Sequence, residues 1–292
     1  MRLVGQADAF EVQRPRLIGL AYRMLGSMAD AEDVVSEAWI RFDAADVDTI
    51  DRPAAWLTTV TSRLAIDRIR AQQRRREDYV GPWLPEPVPT STTDDPAERL
   101  ALSESLTLGF LVVLDRLAPT ERAVFLLADV FGEPYADIAA AVGKSDEACR
   151  QIASRARRKV REERNARTSA DEELVTDLVT AIGMGDVQGL ISLLADDVVL
   201  VSDGGPDRHA ARRPVIGTDR VSRLLINLGQ RIPPDAQMGI ESVNAAPALV
   251  IHTDAGAIVV TADRDGAGQV AAIRMMLNPD KLGAMDHPPA HI

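Results

Sequence analysis

Cysteine, imidazole and long apolar runs are all scarce in this chain. A single cysteine, Cys149, in 292 residues excludes an intramolecular disulfide. Its apolar neighbours recur at helical spacing, so it reads as a small core residue rather than a redox switch. Four histidines, no His-Glu-x-x-His run and no cysteine cluster leave a metal centre without a signature, and no glycine-rich phosphate loop is present. No cofactor is expected. No apolar stretch is long enough to span a membrane and no N-terminal signal pattern is visible, so the expectation is a soluble, cytoplasmic protein. Excess positive charge is missing too: 33 Lys and Arg against 44 Asp and Glu give a net charge of -11. Affinity for DNA comes largely from neutralising phosphates, so the free chain should bind DNA weakly.

The cations present are clustered, from Arg63 to Arg76 and from Arg150 to Arg164. The second cluster belongs to the stretch from Pro134 to Arg161. There Tyr135 to Val142 reads as a short helix with Ile138 and Val142 on one face, Gly143 supplies a left-handed turn, and Ser145 caps a second helix whose first turn carries Asp146 and Glu147. On that helix Cys149, Ile152, Ala153, Ala156 and Val160 form a packing face. Gln151, Ser154, Arg155 and Arg158 line another, with Arg150, Arg157 and Arg161 at its borders and Glu147 in the first turn. The pattern matches a helix-turn-helix whose second helix enters the DNA major groove; a solvated basic face is the plain alternative. In a groove Arg150 or Arg155 could bond guanine edges, Gln151 adenine, and Glu147 could accept from cytosine.

Towards the N-terminus, Leu17, Leu20, Ala21, Met24 and Leu25 form one buried face. In residues 30–42 Ala31, Val34, Val35, Ala38 and Phe42 form another. Asp30, Asp33 and Glu37, with Arg41 beyond, share an outer face where like charges repel, a cost that a basic partner could offset. Pro53 opens a third helix with Leu57, Val60, Leu64 and Ile69 inward and Trp56, Arg63, Arg68 and Arg70 elsewhere. An aromatic beside cations suits stacking on unpaired bases, although a buried tryptophan is the commoner fate. From Glu77 to Glu98 proline, threonine and aspartate dominate without period, which reads as a linker. Trp83 and Leu84 within it are expected to dock on a domain surface. Leu100 to Leu117 reads as an apolar helix, and Pro119 begins the next, with Ala118 at its N-cap.

Four segments, DAEDVVSEAWIRF, AAWLTTVTSRLAIDRIR, PTERAVFLL and PYADIAAAVGKSDEACRQIASRARRKV, occur in the order and at the spacing of bacterial sigma factors of the extracytoplasmic-function (ECF) group, which the chain resembles. The resemblance implies an alternative, stress-responsive sigma factor of RNA polymerase. Residues 30–42, through Asp30, Asp33, Glu37 and Arg41, would dock on the β′ clamp helices, and the β subunit would also be contacted. Residues 43–70, with Trp56, Arg63, Arg68 and Arg70, would capture the melted promoter −10 element. The helix from Asp146 would read the −35 element.

Beyond Arg167 the pattern changes. Two helices, at 173–185 and 186–195, precede a strand at 198–202. A helix at 220–231 and four alternating or apolar strands follow, which reads as an α+β domain with an antiparallel sheet wrapped over helices around a cavity. This part resembles a SnoaL-like cone domain, and the whole chain resembles the ECF subgroup carrying such a domain at the C-terminus. Trp83-Leu84-Pro85, Asp203-Gly204-Gly205 and Asn278-Pro279-Asp280-Lys281-Leu282 carry that second likeness. The subgroup tends to continue with a third glycine and a lysine, whereas Pro206 and Asp207 intervene here before Arg208. The resemblance implies regulation by contact with the linker and the sigma domains.

The expected organisation is therefore multidomain. Residues 5–76 form an all-α region-two domain, 77–99 a linker, 100–165 an all-α helix-turn-helix region-four domain, and 170–285 an α+β SnoaL-like regulatory domain. Core polymerase and promoter DNA are the expected partners, with no membrane and no separate anti-sigma factor required. Two alternatives stand beside this reading. A cyclase or hydrolase would need an acid–base pair in the cavity, for which Asp203 with His209 or His252 are the candidates. A one-component helix-turn-helix regulator would sense a ligand there, but would have no use for the acidic stripe. The chain is therefore expected not to be an enzyme.

Overall fold

The computed structural model describes residues 2–46, 49–76, 79–90, 105–164 and 167–285. The chain divides into two compact units, residues 1–77 with 113–161 and residues 78–112 with 162–292.

In the first unit, α1 (Arg2–Leu25), α2 (Met28–Asp43) and α3 (Pro53–Arg76) precede α5 (Pro119–Phe125), α6 (Tyr135–Val142) and α7 (Asp146–Arg164); α4 (Leu108–Asp115) runs across the boundary. The buried stripes of α1 and α2 are those expected: Leu17, Leu20, Ala21, Met24 and Leu25 are fully enclosed, as are Ala31, Ala38 and Phe42. Ser27 accepts from the Asp30 amide and so caps α2. Phe10, Trp39, Phe42 and Trp56 form a relay of tilted rings with centroids 4.9, 6.4 and 5.6 Å apart. On α3 the buried stripe is rotated from the expected one. Leu57 and Ile69 are enclosed, but Val60 and Leu64 are half-buried, while Thr61, Ser62, Ala65 and Ile66 are buried. The helix packs on α1 and α2 and also on α6, so its buried arc is wider than one stripe.

The expected helix from Leu100 to Leu117 is shorter in the structure. Residues 100–104 lie outside the described residues, and α4 begins at Leu108, where Thr107 Oγ1 accepts from the Phe110 amide. At α5, Glu121 accepts from the Ala118 amide at 3.3 Å, one half of a capping box whose other half needs a side-chain oxygen that alanine lacks. Ala118→Ser is expected to stabilise the helical unit by roughly 0.5–2 kcal/mol, read as a higher denaturation midpoint; an unchanged midpoint would contradict this capping geometry.

The second unit holds β1 (Thr168–Ser169), α8 (Glu172–Met184), α9 (Val187–Leu193), β2 (Leu194–Asp203), β3 (Val215–Ile216), α10 (Thr218–Gly229), β4 (Gln237–Val243), β5 (Ala246–Thr253), β6 (Gly256–Arg264) and β7 (Val270–Met276). The strands form one sheet in the order β3-β2-β7-β6-β5-β4, with β1 pairing on β6. The wholly antiparallel expectation is corrected: β2 and β7 run parallel, and the other pairs are antiparallel. A parallel pair needs a long crossover, here the intervening α10 and the β4–β6 meander, and strand patterning does not record it. Side-chain alternation divides the sheet in two. Val260, Ala262, Ile273 and Met275 meet α8–α10. Ala257, Val259 and Met276 face the other way, where Leu84 of the linker joins Leu282 and Met285 in a second core.

Candidate nucleic-acid and linker-clamping surfaces

The helix-turn-helix is built as its local chemistry dictates. Gly143 sits at φ 66°, ψ 42°, the left-handed conformation, directly after α6. Ser145 Oγ accepts from the Ala148 amide at the start of α7. Cys149, Ile152, Ala153, Ala156 and Val160 are all buried, and burial raises the Cys149 thiol pKa, as suits a core residue. Glu147, Arg150, Gln151, Ser154, Arg155 and Arg158 are all exposed. Arg150 lies over the Tyr135 ring, 5.1 Å from its centroid, so the guanidinium is oriented before any ligand arrives. Arg157, at the border, is taken up by Asp129 and the Tyr135 hydroxyl.

The residues expected to meet a melted strand are differently placed. Trp56 is half-buried against Phe42. Arg63 is exposed, but it donates to the carbonyls of Ala140 (2.5 Å) and Ala141 (3.2 Å), at the C-terminal turn of α6. A cation there suits the negative end of a helix. Arg52 forms a two-pronged pair with Asp137 of the same helix. Arg70 pairs with Asp67, one turn back on α3. Among these candidates Arg63, together with Arg52 just before α3, thus meets the first helix of the helix-turn-helix within one unit.

The acidic stripe has an internal partner that the sequence did not reveal. Arg68 bonds Asp30 and Asp33, both at 2.7 Å, and Gln72 donates to Asp30 as well. Asp30 therefore braces α2 against α3. Glu37 pairs with Arg41 along α2. Asp33, Glu37 and Ile40 border a groove of about 510 Å³ floored by Leu64 and Ala71. Ile40 is 60% exposed, an apolar anchor that the charge pattern concealed.

In the second unit the residues of the three short motifs converge on one buried carboxylate. Asp203, fully enclosed at the end of β2, accepts from the Leu84 amide (2.8 Å), the Tyr79 hydroxyl (2.6 Å), Lys281 Nζ (2.7 Å) and the Gly205 amide (3.1 Å). Lys281 also donates to the Leu84 carbonyl and lies over the Trp83 ring, 4.1 Å from its centroid. Burial, then the bond to Asp203, pushes the Tyr79 phenol pKa well above its ordinary value. Asn278 donates to the Tyr79 hydroxyl, and its amide reaches the Asp203 carbonyl. Gly205 has φ +60° and lies so close to Asn278 that a Cβ would stand 2.7 Å from its side chain; one on Gly204 would stand 2.7 Å from the Arg208 carbonyl. Only glycine permits both approaches.

Beyond the clamp the linker runs on along the sheet edge. Val88 exchanges bonds with Asn244, Pro89 bridges Val243, and Thr90 bonds Ser242. The docking expected of Trp83 and Leu84 is thus found: Leu84 is buried and Trp83 half-buried. Tyr79 and Asn244 were not singled out in the sequence. Asn244 sits at φ 51° in the β4–β5 turn, and asparagine's tolerance of that conformation is the signal that could have found it. A second buried pair, Arg274–Asp263 at 2.7 Å, lies where the start of α4 packs, since a Cβ on Gly109 would stand 2.7 Å from the Asp263 carboxylate.

Among the described residues no group of carboxylates, histidines or cysteines could hold a metal ion, and no helix is long and apolar enough to cross a membrane. His209 lines a polar cavity beside the Gly204-Gly205 loop, and His252 stands 3.7 Å from Glu241. Neither they nor Asp203 line the apolar cavity of the sheet domain.

An N-terminal helical bundle with an acidic groove, a helix-turn-helix and a clamped linker define a sigma-70-type protein. Residues 9–75 match the family Sigma-70 region 2, and residues 109–160 match Sigma-70, region 4. The ECF RNA polymerase sigma factor SigJ of Mycobacterium tuberculosis is 38% identical, with 95% of this chain and 93% of SigJ covered. The probable ECF sigma factor SigI of the same species is 34% identical, with 94% and 93% covered. The crystal structure of SigJ superposes with a TM-score of 0.77 at 36% identity, covering 95% of this chain and 98% of that one. The chain belongs to the ECF RNA polymerase sigma factors, and its C-terminal domain is SnoaL-like.

Proposed function

We propose that this sigma factor binds core RNA polymerase through the α2 groove, reads the −35 element with the exposed face of α7 and the melted −10 element with α3 and the loop before it, and is regulated in cis by the clamp on its linker. The observation that carries the regulatory part is the four-donor seat at Asp203, which joins linker, sheet and C-terminal segment at one buried charge. The linker sets how far the region-two and region-four domains can part, so the domain that holds it controls their reach. A separate anti-sigma factor is not required on this reading. The apolar cavity, without carboxylate or imidazole among its described lining, favours regulation over acid–base catalysis.

The polymerase contact is assigned to Asp33, Glu37 and Ile40 rather than to Asp30: Arg68 bonds both aspartates, but the Asp33 side chain stays 70% exposed against 26% for Asp30, which Gln72 also holds. A chain carrying Asp33→Ala, Glu37→Ala and Ile40→Ala is expected to lose capture of core polymerase and run-off transcription while keeping its helix content. Retained capture would overturn the assignment. The contacts of Arg63 and Arg52 with α6 support a closed resting state in which Arg63, one of the −10 candidates, is occupied. Asp137→Ala loosens that state without touching a DNA-reading residue. It should raise promoter output from limiting sigma, and unchanged output would count against a closed resting state.

A further inference from the structure

The SnoaL-like domain contains a cavity of about 310 Å³ between α8, α10 and the inner face of β5–β7. Its lining is almost wholly aliphatic, and among the described residues its only charged members are Arg208 and Arg231. Arg231 is exposed and Arg208 half-buried, so positive charge stands where the cavity meets solvent. Neither guanidinium has an ion-pair partner among the described residues, although the chain as a whole is strongly acidic. An apolar body ending in two unneutralised cations suits one chemical class. We propose that the cavity is a binding site for an amphiphilic organic anion, an aliphatic chain ending in a carboxylate.

Size narrows the class. At about 310 Å³ the cavity is far smaller than a long lipid's site, the size class of a short-chain acid such as octanoate. A volume near the lower end of small-molecule sites suits a short-chain ligand rather than a long lipid. Burying the chain supplies affinity, and the carboxylate selects orientation through charge-assisted bonds to guanidinium. Arg208 also borders the polar cavity that includes Val80 and Gly81 of the linker. A bound anion would therefore lie one side chain from the clamped segment. This site goes beyond the regulatory reading and does not depend on it, since binding is measured without transcription.

Calorimetric titration of the full chain with octanoate tests the site. Saturable binding at one site is expected, with octyltrimethylammonium, the same tail bearing a cation, weaker by tenfold or more. Arg231→Glu, on an exposed side chain that folding does not need, should weaken octanoate by about tenfold, and Arg208→Gln with Arg231→Glu should abolish it at an unchanged melting midpoint. Hexadecanoate should bind no more tightly than octanoate. Absence of saturation, equal binding of the anionic and cationic amphiphiles, or undiminished binding by the double variant would overturn the proposal.

Discussion

Asp203→Ala is expected to release the linker and to unfold the SnoaL-like unit at markedly lower denaturant. Asp203 is completely buried, and Lys281 opposite it is nearly so, with 12% of its side chain exposed. Removing one partner of a buried pair leaves the other charge uncompensated, which costs about 3–5 kcal/mol. The Leu84 amide, the Tyr79 hydroxyl and the Gly205 amide lose their acceptor at the same time. Amide exchange at residues 79–90 should rise together with the fall in the denaturation midpoint. Asp203→Leu combined with Lys281→Met separates the charge effect from the rest: the pair should recover the part of the lost midpoint that the orphaned lysine causes, while the three donors still without an acceptor hold it below the parent. A midpoint within error of the parent after Asp203→Ala would remove the clamp as a source of stability.

The second large effect falls on promoter choice. Arg150→Ala with Gln151→Ala should leave stability unchanged, because both side chains are exposed, and should weaken −35 recognition severely. Each lost bidentate base contact costs about 1–3 kcal/mol, so the pair together is worth about 30-fold or more in occupancy. Run-off transcription over a panel of −35 substitutions reads this directly. The parent should discriminate among the panel, and the double variant should initiate weakly and with flattened preference. If the variant keeps both the rate and the preference of the parent, Glu147, Ser154, Arg155 and Arg158 become the remaining candidates on that helix.

What could be read in the sequence was whatever local chemistry determines. The turn at Gly143, the cap at Ser145 and the two faces of α7 depend on residues only a few positions apart, and every buried and exposed position on that helix came out as its spacing implied. The longer strands of the C-terminal domain were visible for the same reason, since alternation is a local property; the two-residue β1 and β3 were not. The misreadings involve distant partners. Arg68 reaches Asp30 across 38 positions, so the acidic stripe appeared unpaired and in need of an external cation. Tyr79 reaches Asp203 across 124 positions, and the linker has no period because its order is supplied by the sheet beneath it. The parallel β2–β7 pair was hidden likewise: direction of pairing leaves no mark on a strand's own residues. Ile40 lies outside the buried stripe of α2, where a single apolar residue among carboxylates has no periodic signal of its own.

Regulation through the clamped linker is tested most directly by the promoter output of core polymerase supplied with the full chain, a chain ending before Asn278, and a chain ending before Asp171. Ending before Asn278 removes Lys281 and Asn278 from the Asp203 seat, and ending before Asp171 removes the SnoaL-like domain. Both shortened chains should differ from the full chain in promoter-specific run-off product by several-fold, with polymerase capture preserved. Identical output from all three would contradict control by the C-terminal domain.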